Sequence, residues 1–412
     1  MTYKKRNYPP HWELKKMPQV VKWGSGGTPK STESTYYENG TIPWLIIGDL
    51  NDGIVTTSQK KITKLGLDNS SAKMIPAGTL LVAMYGSIGK LGITGIECCT
   101  NQAIAYAKEL YNVKTKYMYY FMALIKPDLI SMGKGDTQKN ISQTVLNSLY
   151  VPVPPIPEQE RIVAHIEELF SELDAGVETL KKTKAQLDVY RQAVLKEAFE
   201  GHLTKSKQVS ASVLSEFIEK PHYGTSKKCT YENNGYKAVY RIPNINHAIG
   251  RISKDDIKYA QFTQTELQNI ELHNGDLLII RSNGSINLVG RAAIIYESDT
   301  DATFAGYLMR LRINDPSILN PFFLLRYLQS HSARIYIESK AKSTSGVHNI
   351  NSQEISQLPI PLYKIEDQKK IVAEIESRLS VCNNIEQTID AALNQAKALR
   401  HSILKEAFEG TI

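Results

Sequence analysis

Leu195-Lys196-Glu197-Ala198-Phe199-Glu200-Gly201 recurs letter for letter as Leu404-Lys405-Glu406-Ala407-Phe408-Glu409-Gly410. Seven identical residues set 209 positions apart, about half of a 412-residue chain, mark a tandem duplication. Walking backward at the same offset, Glu158-Gln159-Glu160-Arg161-Ile162-Val163-Ala164-His165-Ile166-Glu167 meets Asp367-Gln368-Lys369-Lys370-Ile371-Val372-Ala373-Glu374-Ile375-Glu376 with no insertion between the two matches. A length kept that strictly is what a continuous helix demands, because one extra residue turns its apolar face by about 100°.

The apolar positions carry the same reading. Ile162, Ile166, Leu169, Phe170, Leu173, Val177, Leu180, Leu187, Tyr190 and Val194 step mostly by three and four, as do Ile371, Ile375, Leu379, Ile385, Ile389, Leu393, Leu399 and Ile403. Pro157 suits a first helical turn, and Gly201 and Gly410 suit C-caps. Each helix spans roughly 60 Å at about 1.5 Å per residue. Two matched helices of this length fit a paired, coiled-coil-like spacer; the alternative is a buried helix of an ordinary globular domain.

Two repeats of this size imply at least two domains with their own cores. No apolar run of 18 residues spans a membrane, and the basic Met1-Thr2-Tyr3-Lys4-Lys5-Arg6 lacks the apolar run of a signal peptide. Cys98, Cys99, Cys229 and Cys382 show no metal-ligand spacing and fit free thiols in a reducing cytoplasm; the nine histidines form no metal set. The formal charge is +7. Residues 157–201 carry 6 Lys/Arg against 10 Asp/Glu and residues 364–412 carry 7 against 8, which leaves the rest of the chain at +12. Basic modules on acidic spacers point the modules at a polyanion and the helices at protein.

Taken in order, residues 1–156 form a first module, 157–201 a long helix, 202–363 a second module and 364–412 a second long helix. In the first module, Trp23–Lys30 is a tight Gly-rich turn, Ile42–Leu50 a strand entering a loop, and Gly78–Tyr85 a turn into a buried strand. The polar loop Gly86-Ser87-Ile88-Gly89-Lys90 follows, then a helix over 115–131 and the polar loop Gly133–Asn140. Val151-Pro152-Val153-Pro154-Pro155-Ile156-Pro157 is a stiff extended lead-in. The second module keeps this order. Gly224-Thr225-Ser226-Lys227 matches Gly27-Thr28-Pro29-Lys30, Gly250 matches Gly53, and Gly275-Asp276-Leu277-Leu278 matches Gly78-Thr79-Leu80-Leu81. Arg241–Asn246 takes the place of the Trp44 strand, Ser343–Ile350 that of the polar loop, and Leu358–Pro361 leads into the second helix.

On these segments the chain resembles the specificity subunit of type I restriction-modification enzymes over its whole length. Pro155-Ile156-Pro157-Glu158-Gln159-Glu160-Arg161-Ile162-Val163 and the repeated Leu-Lys-Glu-Ala-Phe-Glu-Gly carry it most specifically; Tyr363-Lys364-Ile365-Glu366-Asp367-Gln368 departs from the Pro-rich form. The resemblance implies an α/β (α+β) protein with a pseudo-two-fold internal repeat. Two tandem target recognition domains would be separated by two long antiparallel helices. Each domain would read one half of an asymmetric bipartite site in double-stranded DNA, and the helices would set the spacer. Two modification subunits would bring S-adenosylmethionine and methylate adenine, and translocating restriction subunits, using ATP and Mg, would join them. The chain itself would hold no cofactor and no catalytic site. The alternative is a helical scaffold whose basic modules bind nucleic acid without sequence preference.

Residue chemistry narrows the DNA-facing set. Lys and Arg position a reader on phosphates, and loop side chains read base edges. The expected contacts are Gly27, Thr28, Lys30, Tyr85, Ser87, Lys90, Lys134 and Lys139 in the first module. In the second they are Thr225, Ser226, Lys227, Arg281, Ser282, Asn283, Ser285, Arg291, Lys340, Lys342 and His348. Arg281 suits guanine and Asn283 adenine in the major groove. Gly86–Lys90 is too short for a phosphate loop, and Leu91 stands where Ser or Thr would hold magnesium. No Asn-Pro-Pro-Tyr or Asp-Pro-Pro-Tyr motif of an adenine methyltransferase is present. Phe170 is expected at a partner surface, and Phe199 and Phe408, at equivalent helix ends, either pack in a core or anchor the partner subunits.

Overall fold

The continuous apolar runs become the central strands. Leu80–Ala83 and Leu277–Ile280 are buried at every position, as strands covered on both faces must be. In this computed structural model the described residues are 8–135, 139–205, 207–344 and 346–411. The basic N-terminal residues 1–6, residues 136–138 of the polar loop and Ser345 lie outside them. Packing divides the chain into two compact units, one of Met1–Leu180 with Asp390–Ile412 and one of Lys181–Ile389.

The first unit has a five-stranded sheet in the order Val21–Ser25, Ile104–Leu110, Leu80–Ala83, Leu91–Thr94, Gly53–Val55. A three-stranded sheet sets Ile42–Leu45 between Lys60–Ile62 and Cys99–Thr100. The proline-rich lead-in is a strand, Tyr150–Val153, paired antiparallel with Glu13–Lys16. The second unit repeats this plan. His222–Tyr223, Leu308–Leu311, Leu277–Ile280, Ala292–Ile294 and Arg251–Ile252 follow the same order, with Ile245–Asn246 added at the edge. Lys237–Tyr240 lies between Lys258–Ala260 and Ala302–Phe304, and Ser210–Val213 pairs with Pro359–Leu362.

The long helices are Ile156–Phe199, 44 residues, and Ile365–Glu409, 45 residues. They run antiparallel. In the second unit Lys184 meets Glu386 and Arg191 meets Asn383, so position falls along one helix as it rises along the other. In the first unit Arg400 pairs with Asp174 and lies 4.5 Å over the Phe170 ring. The first unit is discontinuous in sequence and the second is one stretch, and each core takes the end of the other repeat's helix. Leu404, Ala407 and Phe408 join the first core, and Val194, Leu195, Ala198 and Phe199 join the second.

The repeated glutamine has a structural cause. Gln159 and Gln368 are fully buried. Each accepts a hydrogen bond from a loop N–H, Lys114 at 2.9 Å and Asn320 at 2.8 Å. Each also donates to the backbone just before its own helix, to Pro154 O at 2.9 Å and Tyr363 O at 2.8 Å. A buried amide with every role filled ties helix to module, and an apolar substitute would orphan those backbone groups.

Four expectations change. The helix over 115–131 breaks at Ile125 into Thr115–Leu124 and Lys126–Ser131, because Pro127 lacks an N–H and restricts the residue before it. Arg241–Asn246 is not the Trp44 strand. Lys237–Tyr240 occupies that place, and Ile242–Asn244 is a 3-10 turn equivalent to Ile47–Asp49. Each turn is closed by its last side chain, Asp49 accepting from Ile46 N and Asn244 from Arg241 N, both at 2.8 Å. In the helix seams Tyr190, Ile385 and Leu399 are exposed at 44%, 40% and 47%. The buried positions of the second helix include the small Cys382 and Ala396, which keep the spacing where the larger residues do not. The fourth concerns Ser343–Ile350, described with the interface below. Cys98 and Cys99 are buried, and burial pushes both thiols up to about 12, so they are inert as nucleophiles.

Candidate nucleic-acid interface

In each unit the end of the central strand lies among that unit's own loops, and backbone hydrogen bonds fix which residues correspond. Gly27 N donates to Thr100 O at 2.9 Å and Thr225 N to Phe304 O at 2.8 Å. Thr100 and Phe304 hold equivalent registers opposite Leu45 and Tyr240. Gly26 is therefore the partner of Gly224, one residue from the match drawn on sequence. A Cβ on Gly26 would collide with the carbonyl oxygens of Thr100 and Asn101, and one on Gly224 with that of Phe304. Replacing Gly224 by Ala is expected to cost about 1–3 kcal/mol through this overpacking. Urea unfolding of the two proteins checks it, and an unchanged midpoint would show that the turn gives way.

In the first unit, Tyr85 and Lys134 both bridge to Asn140. Gly86 N donates to Lys139 O at 3.1 Å, so loop 85–90 forms one edge with residues 133–135 and 139–140. They line a cavity of about 710 Å³ with Asp52, Ser87, Lys90, Lys126 and Lys139. Tyr85, Ser87, Lys134 and Lys139 are exposed. Lys90 is half-buried and donates to Ile47 O at 3.3 Å, so its charge is partly spent inside the unit. Thr28 is exposed and donates to Gln102, beside Ala103, whose carbonyl accepts from Met84 N at 2.8 Å. The Gly-rich turn thus adjoins the strand end. Lys30 is exposed and pairs with Glu33 at 3.5 Å.

In the second unit the corresponding edge is a small sheet. Ser282–Asn283 pairs with Val347–Asn349, which pairs with Lys342–Thr344. Lys342–Thr344 and Val347–Asn349 pair as strands rather than forming an irregular polar loop, because strand Ser282–Asn283 gives them a partner from 65 to 67 residues earlier. The connection that follows the central strand is also longer here. It runs from Ile280 to Arg291, where the first unit runs from Ala83 to Lys90, and Ile280 N meets Arg291 O as Ala83 N meets Lys90 O. Arg291 is therefore the counterpart of Lys90. It is half-buried, its Nε donates to Asn287 O at 3.0 Å, and burial lowers its pKa.

The expected residues separate by how they are used. Arg281 lies with its guanidinium 4.4 Å over the Tyr223 ring and its Nη1 donating to Gly306 O at 3.2 Å. Ser282 is buried, and Asn283 accepts from Ser285 N at 2.8 Å. His348, opposite Asn283, is half-buried, and its Nδ1 lacks a partner among the described residues. Ser226 and Ser285 are exposed, and Lys342 is 83% exposed. Lys340, at the end of helix His331–Lys340, lies 5.7 Å from the Tyr336 ring. Lys227 is tied to Glu266 at 2.7 Å and Gln261 O at 2.9 Å, and that bond holds the Glu266 carboxyl down to about 2. Thr225 accepts from Gly306 N at 2.7 Å, which joins the turn to Arg281. Sequence reading missed Tyr223 as Arg281's support, and it missed Tyr307, 64% exposed, whose carbonyl accepts from Arg281 N at 3.0 Å. An aromatic residue directly before strand Leu308–Leu311 was the available signal.

Of the residues expected at partner surfaces, Phe199 and Phe408 fill the chain's own cores, 8% and 0% exposed. The core alternative holds for both. Phe170 is half-buried between Arg400 and Tyr120. Among the described residues no helix is long and apolar enough to cross a membrane.

The model of the type I restriction modification DNA specificity domain matches residues 9–187 and again 208–395. The type I restriction enzyme EcoKI specificity subunit of Escherichia coli K12 is 23% identical over 98% of this chain and 90% of its own length. The StySPI specificity subunit of Salmonella potsdam is 24% identical over the same shares. Among solved structures, a chain from a study of complex assembly and conformational transition of the type I R-M system superimposes with a TM-score of 0.77. Its identity is 19%, covering 98% of this chain and 99% of that one. The HsdS subunit of Thermoanaerobacter tengcongensis gives 0.56 at 18% identity over the full length of both.

Proposed function

The chain belongs to the type I restriction modification DNA specificity family, and from that premise we propose that each of its compact units reads one half of a two-part target in double-stranded DNA. One observation carries the reading. The two units share a strand order but place different side chains at the same loop positions, Tyr85 against Ser282, Met84 against Arg281, Lys139 against His348. A scaffold that bound any sequence would have no use for two different edges on one plan; a reader of an asymmetric target needs them.

In this reading the long helices, constant in length, set the unread gap. The chain acts without a catalytic site of its own, in assembly with two modification subunits and with restriction subunits. S-adenosylmethionine, ATP and magnesium belong to those partners. Lys134 and Lys342, at equivalent bridges to Asn140 and Asn349, serve as phosphate contacts. Methylation mapping of the genome in cells carrying this chain with its modification subunit tests the proposal. The expected result is a bipartite motif with methyladenine in both halves, lost when the chain is deleted. Methylation that survives the deletion would sink it.

A further inference from the structure

Resting on the reading that the second unit reads a half-site, we propose that Arg281 reads a guanine there and that Tyr223 is the residue that positions it. Three features of the site lead to this assignment.

The first is that the Arg281 backbone is fixed on both sides of the strand end. Its N–H donates to Tyr307 O at 3.0 Å and its carbonyl accepts from Ile350 N at 2.9 Å. The second is that the guanidinium is held before any DNA arrives. It lies 4.4 Å over the Tyr223 ring, and only Nη1 has a hydrogen bond among the described residues, to Gly306 O at 3.2 Å. The ring is in turn anchored, its hydroxyl accepting from Ser352 N at 2.8 Å. A planar cation stacked on an anchored ring keeps its plane and gives up little rotamer freedom when it binds. Nε is itself buried without a partner among the described residues, so the N–H groups left on Nη1 and Nη2 are the pair that matches O6 and N7 of guanine.

The third is that the other base-reading side chain at this edge is engaged. Asn283 spends its amide oxygen on Ser285 N at 2.8 Å, inside its own turn. Reading adenine takes both ends of an Asn amide, so the sequence's two choices are not equal. The first unit has no counterpart. Met84, 4% exposed, stands where Arg281 does, and Ser25 and Ala103 stand in the places of Tyr223 and Tyr307. The guanine contact therefore belongs to one half-site only.

The test uses the complete chain with its modification subunit and duplexes bearing the mapped motif. Each guanine is replaced in turn by adenine and, separately, by 7-deazaguanine, which lacks only the N7 acceptor. Wild type should lose about 5- to 150-fold in affinity at one guanine of the second unit's half-site, the range of a good bidentate contact. Arg281→Ala and Arg281→Gln should be indifferent to that position and unchanged at the other half-site. Tyr223→Leu should lose part of the preference, and Tyr223→Phe, which keeps the ring, should retain most of it.

An Arg281→Ala protein that still prefers the same guanine overturns the assignment. So does one weakened equally on every sequence, which would make Arg281 a phosphate contact. Either result leaves the half-site reading standing. That reading fails separately, if exchanging the whole second module changes neither half of the motif.

Discussion

Replacing Phe408 by alanine is expected to cost the isolated chain about 3–5 kcal/mol, the range for removing a buried aromatic ring from a packed core. The ring is fully buried, 5.0 Å from that of Tyr117 and 5.7 Å from that of Phe121, which sit one turn apart on helix Thr115–Leu124. Tyr117 cannot move in to fill the void, because its hydroxyl is fixed to Pro152 O at 2.6 Å. Phe408→Leu should recover more than half of the loss. The measurement is urea unfolding of the chain with no partner present. If the midpoint stays put and only assembly with the modification subunit suffers, the ring is a partner anchor and its burial has been misread. Phe199 sits in the same kind of receptor, 5.2 Å from both Phe323 and Tyr327, so the identical heptapeptides are explained by two matching aromatic sockets.

Exchanging residues 202–363 for the module of a relative with a different target should replace one half of the methylated motif completely. The other half and the gap between them should stay as they were. The replacement brings its own strand-end loops but leaves the Phe408 socket, the Gln159 contacts and both long helices untouched. Methylation mapping reads the outcome in one experiment. A change in both halves would mean that the units do not read independently. A change in gap length alone would place base recognition outside this module.

Much of the architecture was legible because its signals are local. Gln159 and Gln368 fall at matching helix starts, Gly410 has the left-handed φ of 68° that a helix C-cap favours, and the buried strands are unbroken apolar runs. Errors arose where one residue or one distant partner decides. Gly26 rather than Gly27 answers to Gly224, since only the hydrogen bonds to Thr100 and Phe304 set the register. The 3-10 turn Ile242–Asn244 reads like a strand until Asn244 caps it. Lys342–Thr344 and Val347–Asn349 read like a loop until Ser282–Asn283 gives them a partner.

The sequence by itself determined the duplication, the length of the helices and the basic character of the modules. Identity, periodicity and charge belong to the residues themselves and require no knowledge of which side chains touch. Only the tertiary structure decided which cations are free to meet DNA. Lys227 is held by Glu266, Lys90 by the Ile47 carbonyl, and Arg281 lies ready on Tyr223. Those partners stand 39, 43 and 58 residues away, and no local pattern states a contact that folding alone creates.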